Sequence, residues 1–317
     1  MDSNDFRYHE EDNVKCITCE FEYRYENIIP TDNISTLNEY EVAKTSVDHS
    51  NHEIEYRLPA VHPLVNPEKR YAFTVVSGAS KNHFCPLQSW IYTMNRVLEG
   101  FDARIVVYDL GFTNKQRNKI LKLTERGYIT DFRSFNYSTY PPFWNISKAR
   151  GEYGWKSAIM AEVARDYPGI LIWLDSGTLT EREYFVRIPD LLEKNKGFIS
   201  PRSQGRMERW THPGLYKYYS DDHSKYDKYY NCNGASLAFN TYETGELIDE
   251  WYRCSLDKNC IAPRGSSRRN HRQDQSVLTY LAARQGMLCT ISWRKFWMKT
   301  HQDASCKSIV KVFERRN

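Results

Sequence analysis

The sequence predicts an α/β domain in which a mostly parallel central sheet is flanked by helices. Apolar strand segments alternate with helical segments from about residue 71 onwards, which is the pattern of parallel sheets with crossover helices. The segment ILIWL, residues 170–174, is apolar at every position, as expected for a strand covered on both faces. With 317 residues, the chain is long enough for one large α/β domain or two small ones, with a sizeable core.

Each element is predicted from its own pattern. The second predicted helix begins at an N-cap candidate, Thr113 or Asn114, and the third is ended by Pro168 and Gly169. A tyrosine-rich segment, residues 211–230, is expected at the surface. In chain order, the predicted strands are residues 71–80, 103–112, 128–136, 170–174 and 233–240, and the predicted helices are residues 85–100, 113–127, 153–169, 241–256 and 273–286.

The first 65 residues differ from the rest of the chain. They show no clear period and end in a proline-rich stretch, LPAVHPLVNPEKR, so we predict an acidic arm over residues 1–65 and a domain over residues 66–317. The arm either wraps the domain or is partly disordered. The polar N-terminus is neither a secretory signal nor a transit peptide, and no apolar run approaches a membrane span. We therefore expect the Golgi or secretory lumen if an anchor lies outside this sequence, and the cytoplasm otherwise.

Charge is distributed unevenly along the chain. Residues 1–65 carry a formal charge of −9 and the remainder carries +13. A basic domain suits a phosphate-bearing or otherwise anionic ligand. Nucleic acid is not expected as a partner, because the sequence contains no helix-turn-helix, zinc-finger or RNP-type pattern.

The eight cysteines give two local predictions. Cys16 and Cys19 form a single CxxC without a second pair at zinc spacing, so a structural zinc site is not expected. Cys254 and Cys260 flank five residues in a loop-like stretch, which favours a local disulfide in an oxidising compartment.

Asp175 directly follows the most apolar predicted strand. A carboxylate at the carboxyl end of such a strand lies in the crevice where open α/β sheets bind ligands. Taken alone, the same pattern also fits an ordinary strand end with a solvated aspartate. The phosphate loops GxGxxG and GxxxxGK[ST] are absent from the sequence.

The order of five motifs resembles that of the GT-A nucleotide-sugar glycosyltransferases. These motifs are the SGAS strand end, YGWKSAIM, LIWLDSGT, NGASLAFN and RQDQSVLTYL. The resemblance covers about residues 70–300 and is closest to the glycogenin and galactinol-synthase type. More closely still, THPGLYKYY, WYRCSLDKNCIAPRGS and HRQDQSVLTYL resemble an uncharacterised family of glycosyltransferase-like animal proteins. The resemblance to the GT-A glycosyltransferases implies a GT-A-like Rossmannoid domain. It also implies transfer of a hexosyl or pentosyl group from a nucleotide-sugar to a glycan or protein acceptor, and by family analogy the donor is a UDP-sugar.

The resemblance also implies a donor site. The small residues that end the first strand would let a base and ribose approach the backbone, and the Lys156 ammonium suits the donor phosphates. A strand-to-loop turn, a solvated helix-start lysine and a core tryptophan are the competing explanations. The implied donor-binding residues are Ser77, Gly78, Ala79, Asn82, Trp155, Lys156, Asp175, Ser176, Gly177 and Gly234.

Three residues are implied to lie at the reacting centre. The resemblance places Asp274 and Gln275 close to the reacting sugar carbon, and Asn233 on the acceptor side of the donor. An aspartate that begins a helix is also an ordinary cap or first-turn residue.

A divalent cation is the cofactor that the resemblance implies. Glycosyltransferases of this fold usually hold Mn²⁺ or Mg²⁺ on an Asp-x-Asp and a later histidine. Asp175 matches the first aspartate and His301 matches the histidine, but Gly177 replaces the second aspartate. The missing carboxylate leaves metal dependence open, and His301 also fits a surface histidine.

A basic loop precedes Asp274. It suits an anionic acceptor or the donor diphosphate, although loops of this composition are more often solvated. Its basic residues are Arg264, Arg268, Arg269, His271 and Arg272. Two other functions compete with sugar transfer: a non-catalytic nucleotide- or carbohydrate-binding protein on a degenerate transferase fold, and an interaction protein whose acidic arm docks on a basic partner.

Overall fold

A computed structural model describes residues 57–316 of the chain. Its strands are β1 (Phe73–Ala79), β2 (Ala103–Asp109), β3 (Asp131–Ser134), β4 (Ile170–Leu174), β5 (Leu179–Thr180), β6 (Phe198–Ile199), β7 (Arg202–Arg206), β8 (Tyr230–Cys232), β9 (Ser236–Asn240) and β10 (Met298–Lys299). Its helices are α1 (Phe84–Val97), α2 (Asn114–Glu125), α3 (Gly154–Asp166), α4 (Arg182–Lys194), α5 (Met207–Trp210), α6 (Pro213–Tyr218), α7 (Thr241–Leu256), α8 (Lys258–Ile261), α9 (Asp274–Arg284) and α10 (Cys306–Arg316).

The central sheet has six strands in the order β3-β2-β1-β4-β9-β6. The pairs β3–β2, β2–β1 and β1–β4 are parallel, whereas β9 is antiparallel to both β4 and β6. Helices cover the sheet, and every residue of β1, β4 and β9 is buried. The predicted α/β class with a mostly parallel sheet is therefore confirmed.

Alternate strand residues enter two different packing layers. Val76, Trp173 and Phe239 belong to one large cluster with the apolar side chains of α3, α7 and α9. Their neighbours Val75 and Ile172 are equally buried but lie outside that cluster, as the period of two in a strand requires. This alternation is why a fully apolar strand pattern marks the sheet centre.

The direction of β9 differs from that of its neighbours for a topological reason. After β4 the chain makes a long excursion and returns at the carboxyl edge of the sheet, where the Asp175 amide donates to the Ala235 carbonyl at 2.9 Å. A strand that enters from this edge must run opposite to β4. The beginning of β9, and not its end, therefore lies beside Asp175.

Most predicted elements lie where the sequence pattern placed them. Thr113 is the N-cap of α2, with a capping box formed with Gln116. The expectation of a surface-lying tyrosine-rich segment is wrong in part. Tyr216 and Tyr226 are buried and stack on each other with ring centroids 5.9 Å apart, because both rings also pack against Tyr280 of α9.

Three disulfides tie the described cysteines together. The predicted Cys254–Cys260 bridge is present. Two further bridges, Cys85–Cys306 and Cys232–Cys289, join distant segments, and the first of them links α1 to the start of α10 across 221 residues. Bridges that close long loops restrict the unfolded chain most. Cys16 and Cys19 lie outside the described residues.

The last residues of the predicted arm contact the domain. His62 Nε2 lies 2.9 Å from the buried Glu162 carboxylate, and Arg165 donates to the Pro59 carbonyl at 2.7 Å. Residues 57–65 thus lie against the surface, while the boundary at residue 66 stays a prediction. Among helices within residues 57–316, none has the length and apolar character needed to cross a bilayer.

A left-handed turn precedes α3. Five consecutive residues, Ala149–Tyr153, have φ between 47° and 64°. Such backbone costs roughly 1–2 kcal/mol per non-glycine residue, so the surroundings must hold it in place. Gly151 has φ +64°, and a Cβ on it would lie 2.1 Å from the Trp144 carbonyl oxygen. The turn therefore depends on glycine at this position.

We predict that Gly151→Ala lowers the free energy of unfolding by about 3 kcal/mol or more, because the methyl group has no space and the φ is unfavourable. Chemical denaturation of the purified protein measures the change. The matched control is Gly245→Ala on the exposed face of α7, where a Cβ meets nothing within 4 Å. This control should be neutral or stabilising by up to about 1 kcal/mol. Equal effects of the two substitutions would contradict the prediction.

Candidate active site

Lys156 lies at the centre of a buried charge cluster at the carboxyl edge of the sheet. Its Nζ donates to Asp175 Oδ1 at 3.0 Å and to the Gly234 carbonyl at 2.9 Å. Asp274 Oδ2 lies 3.6 Å from the same nitrogen. The structure therefore brings together one side chain from α3, one from the end of β4 and one from the start of α9. We call Lys156, Asp175 and Asp274 the lysine–aspartate cluster.

The environment of Lys156 favours its charged form. Burial by itself lowers the pKa of an ammonium, but Asp175 and Asp274 outweigh this effect and raise the pKa of Lys156 above its ordinary value. An ammonium has three hydrogens to donate, and three protein oxygens surround this one. Only 5% of the side chain is exposed. Lys156 thus acts on any ligand mainly through the carboxylates that it holds.

Asp274 is the buried carboxylate of the cluster. Burial raises its pKa to about 6, and the negative charge of Asp175 adds to this effect, although Lys156 opposes it. Asp274 begins α9, and its carbonyl accepts a hydrogen bond from the Trp251 indole at 3.0 Å. A carboxyl group with a pKa near 6 changes its charge close to neutral pH, which is common at functional sites.

Asp175 is the accessible carboxylate, with 40% of its side chain exposed. Its Oδ1 also accepts a hydrogen bond from the Trp173 indole at 2.7 Å. Sequence reasoning did not include Trp173 in the site. The signal was available, because residues two apart in a strand project to the same face, so Trp173 and Asp175 share one side of β4.

Asn233 and Gly234 lie beside the cluster because β9 begins at this edge. The Asn233 side chain accepts from the Ala235 amide at 3.1 Å, which closes a turn into β9. A Cβ on Gly234 would lie 3.4 Å from Cβ of Gln275. Gln275 and Gly234 are therefore neighbours, as the predicted reacting centre requires. The roles of Asn233, Asp274 and Gln275 stay predictions.

The predicted nucleoside edge lies at the same end of the sheet. Val76 pairs with Trp173, so the residues after Val76 follow β1 toward the edge at which β4 ends in Asp175. The Ser77 hydroxyl is fully buried without a hydrogen-bond partner among the described residues. Gly78 has a local reason to be small, because a Cβ there would lie 3.2 Å from Tyr108 Cβ.

The remaining predicted donor residues differ in accessibility. Asn82 is exposed, Ala79 and Ser176 are buried, and Trp155 is 7% exposed. The Trp155 indole donates to the Arg150 carbonyl at 3.2 Å, so it binds the left-handed turn to α3. Trp155 and Trp173 also lie against the Lys156 ammonium, 5.9 and 5.2 Å from their ring centroids.

Gly177 contacts the segment that carries His301. The Gln302 amide donates to the Gly177 carbonyl at 2.8 Å, and a Cβ on Gly177 would lie 2.8 Å from Asp303 Oδ2. His301 directly precedes Gln302, the residue that contacts the loop after β4, and the side chain of His301 is exposed. Asp303 thus occupies the space that the side chain of a second motif aspartate at position 177 would need.

The described side chains do not form a preformed metal site. Within residues 57–316, no group of three or more His, Cys, Asp or Glu side chains is arranged to hold an ion. Asp175 also directs one oxygen at Lys156 and Trp173. The fixed positive charge of the cluster is the Lys156 ammonium. Binding of Mn²⁺ or Mg²⁺ by Asp175 and His301 stays a prediction.

Backbone strain borders the cluster on two sides. The left-handed turn ends at Tyr153, three residues before Lys156, and Gln273, with φ 44°, directly precedes Asp274. The two strained segments interact, because the Gln273 side chain opposes the rise that burial causes in the pKa of Glu152. Strained residues of this kind concentrate at functional sites. Neither Glu152 nor Gln273 carries a sequence signal that would have revealed this interaction.

Fold and site together define an α/β protein with a largely buried charge cluster at the carboxyl edge of its sheet, where the Asp175 carboxylate is partly exposed. A family model described as "Protein of unknown function (DUF1647)" matches residues 2–161, about half of the chain, and the protein belongs to that family. No curated protein matches the chain.

Several solved glycosyltransferase structures are similar to this chain at low identity. An active-site mutant of LgtC is 14% identical with a TM-score of 0.45, covering 66% of this chain and 69% of its own. The mannosyltransferase Ktr4p from S. cerevisiae is 10% identical with a TM-score of 0.43, covering 88% of this chain and 82% of its own. Mouse xyloside xylosyltransferase 1 is 12% identical with a TM-score of 0.41, covering 69% and 84%.

We predict that Asp274 makes stability depend on pH. Its folded pKa of about 6 exceeds its ordinary value of 3.8, so between these pH values the unfolded state has released a proton that the folded state keeps. Stability contributed by this group is thus present below about pH 4 and is lost as the pH rises through 6, by on the order of 3 kcal/mol.

Denaturation of the wild type and of Asp274→Asn between pH 4.5 and 7.5 measures this effect. The stability of the variant relative to the wild type should rise across the interval, since asparagine does not ionise. Asp249→Asn on the surface of α7 is the matched control and should follow the wild-type profile. Parallel profiles for wild type and Asp274→Asn would show the prediction to be wrong.

Proposed function

We propose that this protein is a glycosyltransferase that moves a sugar from a nucleotide-sugar to a glycan or protein acceptor. The donor is a UDP-sugar, and the transferred group is a hexosyl or pentosyl unit. The observation that carries the proposal is the meeting of Lys156, Asp175 and Asp274 at the carboxyl edge of the sheet. Open α/β sheets bind ligands at this edge, and the motif resemblance assigns these positions to the donor and the reacting sugar.

The donor is proposed to lie across the end of β1 and the loop after β4. Its nucleoside is placed along Ser77, Gly78, Ala79 and Asn82, of which Asn82 has the exposed polar side chain. Its diphosphate and sugar lie along Ser176, Gly177 and Gly234, above Trp155 and the lysine–aspartate cluster. The exposed half of Asp175 is the first cluster group that such a ligand reaches.

Electrostatics decide what the cluster does in the transfer. The bond between the sugar and the diphosphate breaks with its electron pair on the departing phosphate, while the anomeric carbon becomes electron-poor. Lys156 offsets the charge of Asp175 and so lowers the repulsion of an anionic donor. Asp274, with Gln275 and Asn233 beside it, positions the transferred sugar and the acceptor. Fixed charges of this kind act without reorganisation when the reaction occurs.

The sugar–diphosphate bond also needs positive charge near its oxygens. When Mn²⁺ or Mg²⁺ is bound by Asp175 and His301, it would supply such charge as a Lewis acid. The described residues do not form a preformed site for it, and the mechanism proposed here rests on the residues of the chain itself.

A secretory or Golgi location is proposed from two features. Three disulfides join all six described cysteines, and disulfides persist in oxidising compartments. Asn136 and Asn145, in two N-x-S/T sequons, are both exposed.

We predict that Asp175→Asn lowers donor turnover at least about 100-fold, because the variant loses the carboxylate that holds the Lys156 ammonium in place beside the donor. UDP release from a panel of UDP-sugars, with acceptor mixtures and with water, measures turnover, and UDP-dependent thermal stabilisation measures binding. Asp249→Asn is the matched surface control and should retain both. No turnover and no thermal shift with any nucleotide would overturn the proposed function. Nucleotide binding without turnover would instead favour the degenerate, non-catalytic alternative.

We predict that chelation leaves UDP binding within about threefold, since the positive charge that the described residues hold at this edge is the Lys156 ammonium, which EDTA does not remove. Calorimetric titration of UDP with EDTA, and again with Mn²⁺, measures this difference. His301→Ala should behave as the wild type in EDTA. A loss of UDP binding in EDTA that Mn²⁺ restores in the wild type but not in His301→Ala would establish a metal site.

A further inference from the structure

Five arginines lie on aromatic rings close to the candidate active site. Arg202 and Arg206 lie over Tyr230, 4.9 and 5.7 Å from its ring centroid. The set as a whole, which we call the arginine surface, consists of Arg202, Arg206, Arg209, Arg268 and Arg272.

The other three arginines use two further rings. Arg209 and Arg272 lie over Trp210 at 4.6 and 3.9 Å, and Arg268 lies over Tyr153 at 5.5 Å and donates to its hydroxyl at 2.6 Å. Aromatic rings thus hold all five guanidinium groups in place.

The arginine surface has positive charge without acidic partners. Within residues 57–316, no carboxylate forms an ion pair with any of its five members, whereas Arg117, Arg187 and Arg253 each pair with one. Residues 262–273 contain four arginines and no acidic residue. Burial, together with repulsion from Arg268 and Arg209, lowers the pKa of Arg272. Arg209, Arg268 and Arg272 are therefore close enough for the first two to repel the third, and a bound anion would relieve this repulsion.

Backbone contacts fix the surface beside the reacting centre. Arg272 precedes Asp274 by two residues, and its amide donates to Ser276 Oγ at 2.8 Å. The Pro201 carbonyl, adjacent to Arg202, accepts from the Asn233 amide at 2.8 Å. The surface thus borders the lysine–aspartate cluster on the Asp274 side and on the Asn233 side, which is the predicted acceptor side.

The basic loop is more ordered than its composition suggests. The His271 imidazole is fully buried, accepts from the His212 amide and faces the Ile261 carbonyl at 3.0 Å, and burial lowers its pKa to about 4. A neutral, fully bonded His271 anchors the loop. The prediction of a solvated loop therefore holds for the exposed Arg264, Arg268 and Arg269 but is wrong for His271.

The chemistry of the surface selects a class of ligand. A guanidinium carries five N–H donors in a planar fork, which can bind a sulfate or carboxylate through paired hydrogen bonds while an aromatic ring lies beside the group. We propose that the arginine surface binds the acceptor, which is a glycan carrying sulfate or uronate groups. This inference rests on the proposed function in one respect, the identification of the bound glycan as the acceptor.

The test is direct binding of defined oligosaccharides at 150 mM NaCl. A heparin hexasaccharide carries sulfate and carboxylate, a hyaluronan hexasaccharide carries carboxylate alone, and maltohexaose is neutral. We expect one or both anionic probes to bind and maltohexaose not to bind. Binding of both points to carboxylate as the recognised group, and binding of heparin alone points to sulfate.

A triple variant locates the binding surface. Arg206→Ala, Arg209→Ala and Arg272→Ala together should weaken anionic glycan binding at least about 30-fold, since each charge-assisted hydrogen bond contributes severalfold or more. The matched control removes three exposed arginines that are paired with carboxylates elsewhere, by Arg187→Ala, Arg253→Ala and Arg284→Ala. It should change the affinity less than about threefold. Equal losses in both triple variants would show that net charge alone is responsible and would overturn the proposal.

Two further readouts separate this inference from the proposed function. UDP-dependent thermal stabilisation should persist in the arginine triple variant, which also shows that it is folded. If the wild type binds no anionic glycan but still turns over UDP-sugars, the proposal for the arginine surface is overturned and the proposed function is kept. If the wild type binds the anionic glycans but no nucleotide, the proposal that the arginine surface binds an anionic glycan is kept and the proposed function is overturned. Binding of a decathymidylate as tightly as the heparin hexasaccharide would overturn the proposal in favour of a general polyanion site.

Discussion

The buried ammonium of Lys156 is the interaction on which the rest of the site depends. Removing a charge from water costs several kcal/mol unless partners with good geometry surround it, and breaking one part of such a group leaves an uncompensated charge. The partners of Lys156 come from the end of β4, the turn before β9 and the start of α9. Three chain segments far apart in sequence must therefore meet within 3.6 Å of one nitrogen atom.

Two kinds of constraint hold these segments in place. The left-handed turn before α3 persists because Trp144 is fixed, with its indole bonded to the Ser255 carbonyl and its backbone against Gly151. On the other side, the Cys85–Cys306 bridge joins α10 to α1, and the Asp303 carboxylate, shortly before that cysteine, lies on Gly177. Strain and covalent cross-linking thus both act next to the lysine–aspartate cluster, where a rigid scaffold supports precise placement of charged groups.

The charges of the domain fall into two arrangements with different consequences. Lys156 is enclosed by acceptors, so it offsets the charge of Asp175 and Asp274 without creating a large exposed positive surface. The arginine surface has the opposite character, because rings orient its guanidinium groups while no described carboxylate neutralises them. A nucleotide-sugar site beside an anion-binding surface would give one chain both a donor and an acceptor side, which is the geometry that sugar transfer requires.

The sequence by itself determined the α/β class, most helices and strands, the Cys254–Cys260 bridge and the position of Asp175, since these follow from local periodicity and spacing. It did not determine that β9 runs antiparallel, that Trp173 and Glu152 join the site, or that Asp303 fills the space beside Gly177. Those features depend on contacts between residues separated by tens to hundreds of positions, which no local pattern encodes. Only the tertiary structure decided that Lys156 faces carboxylates in the interior, because burial is a property of the folded chain.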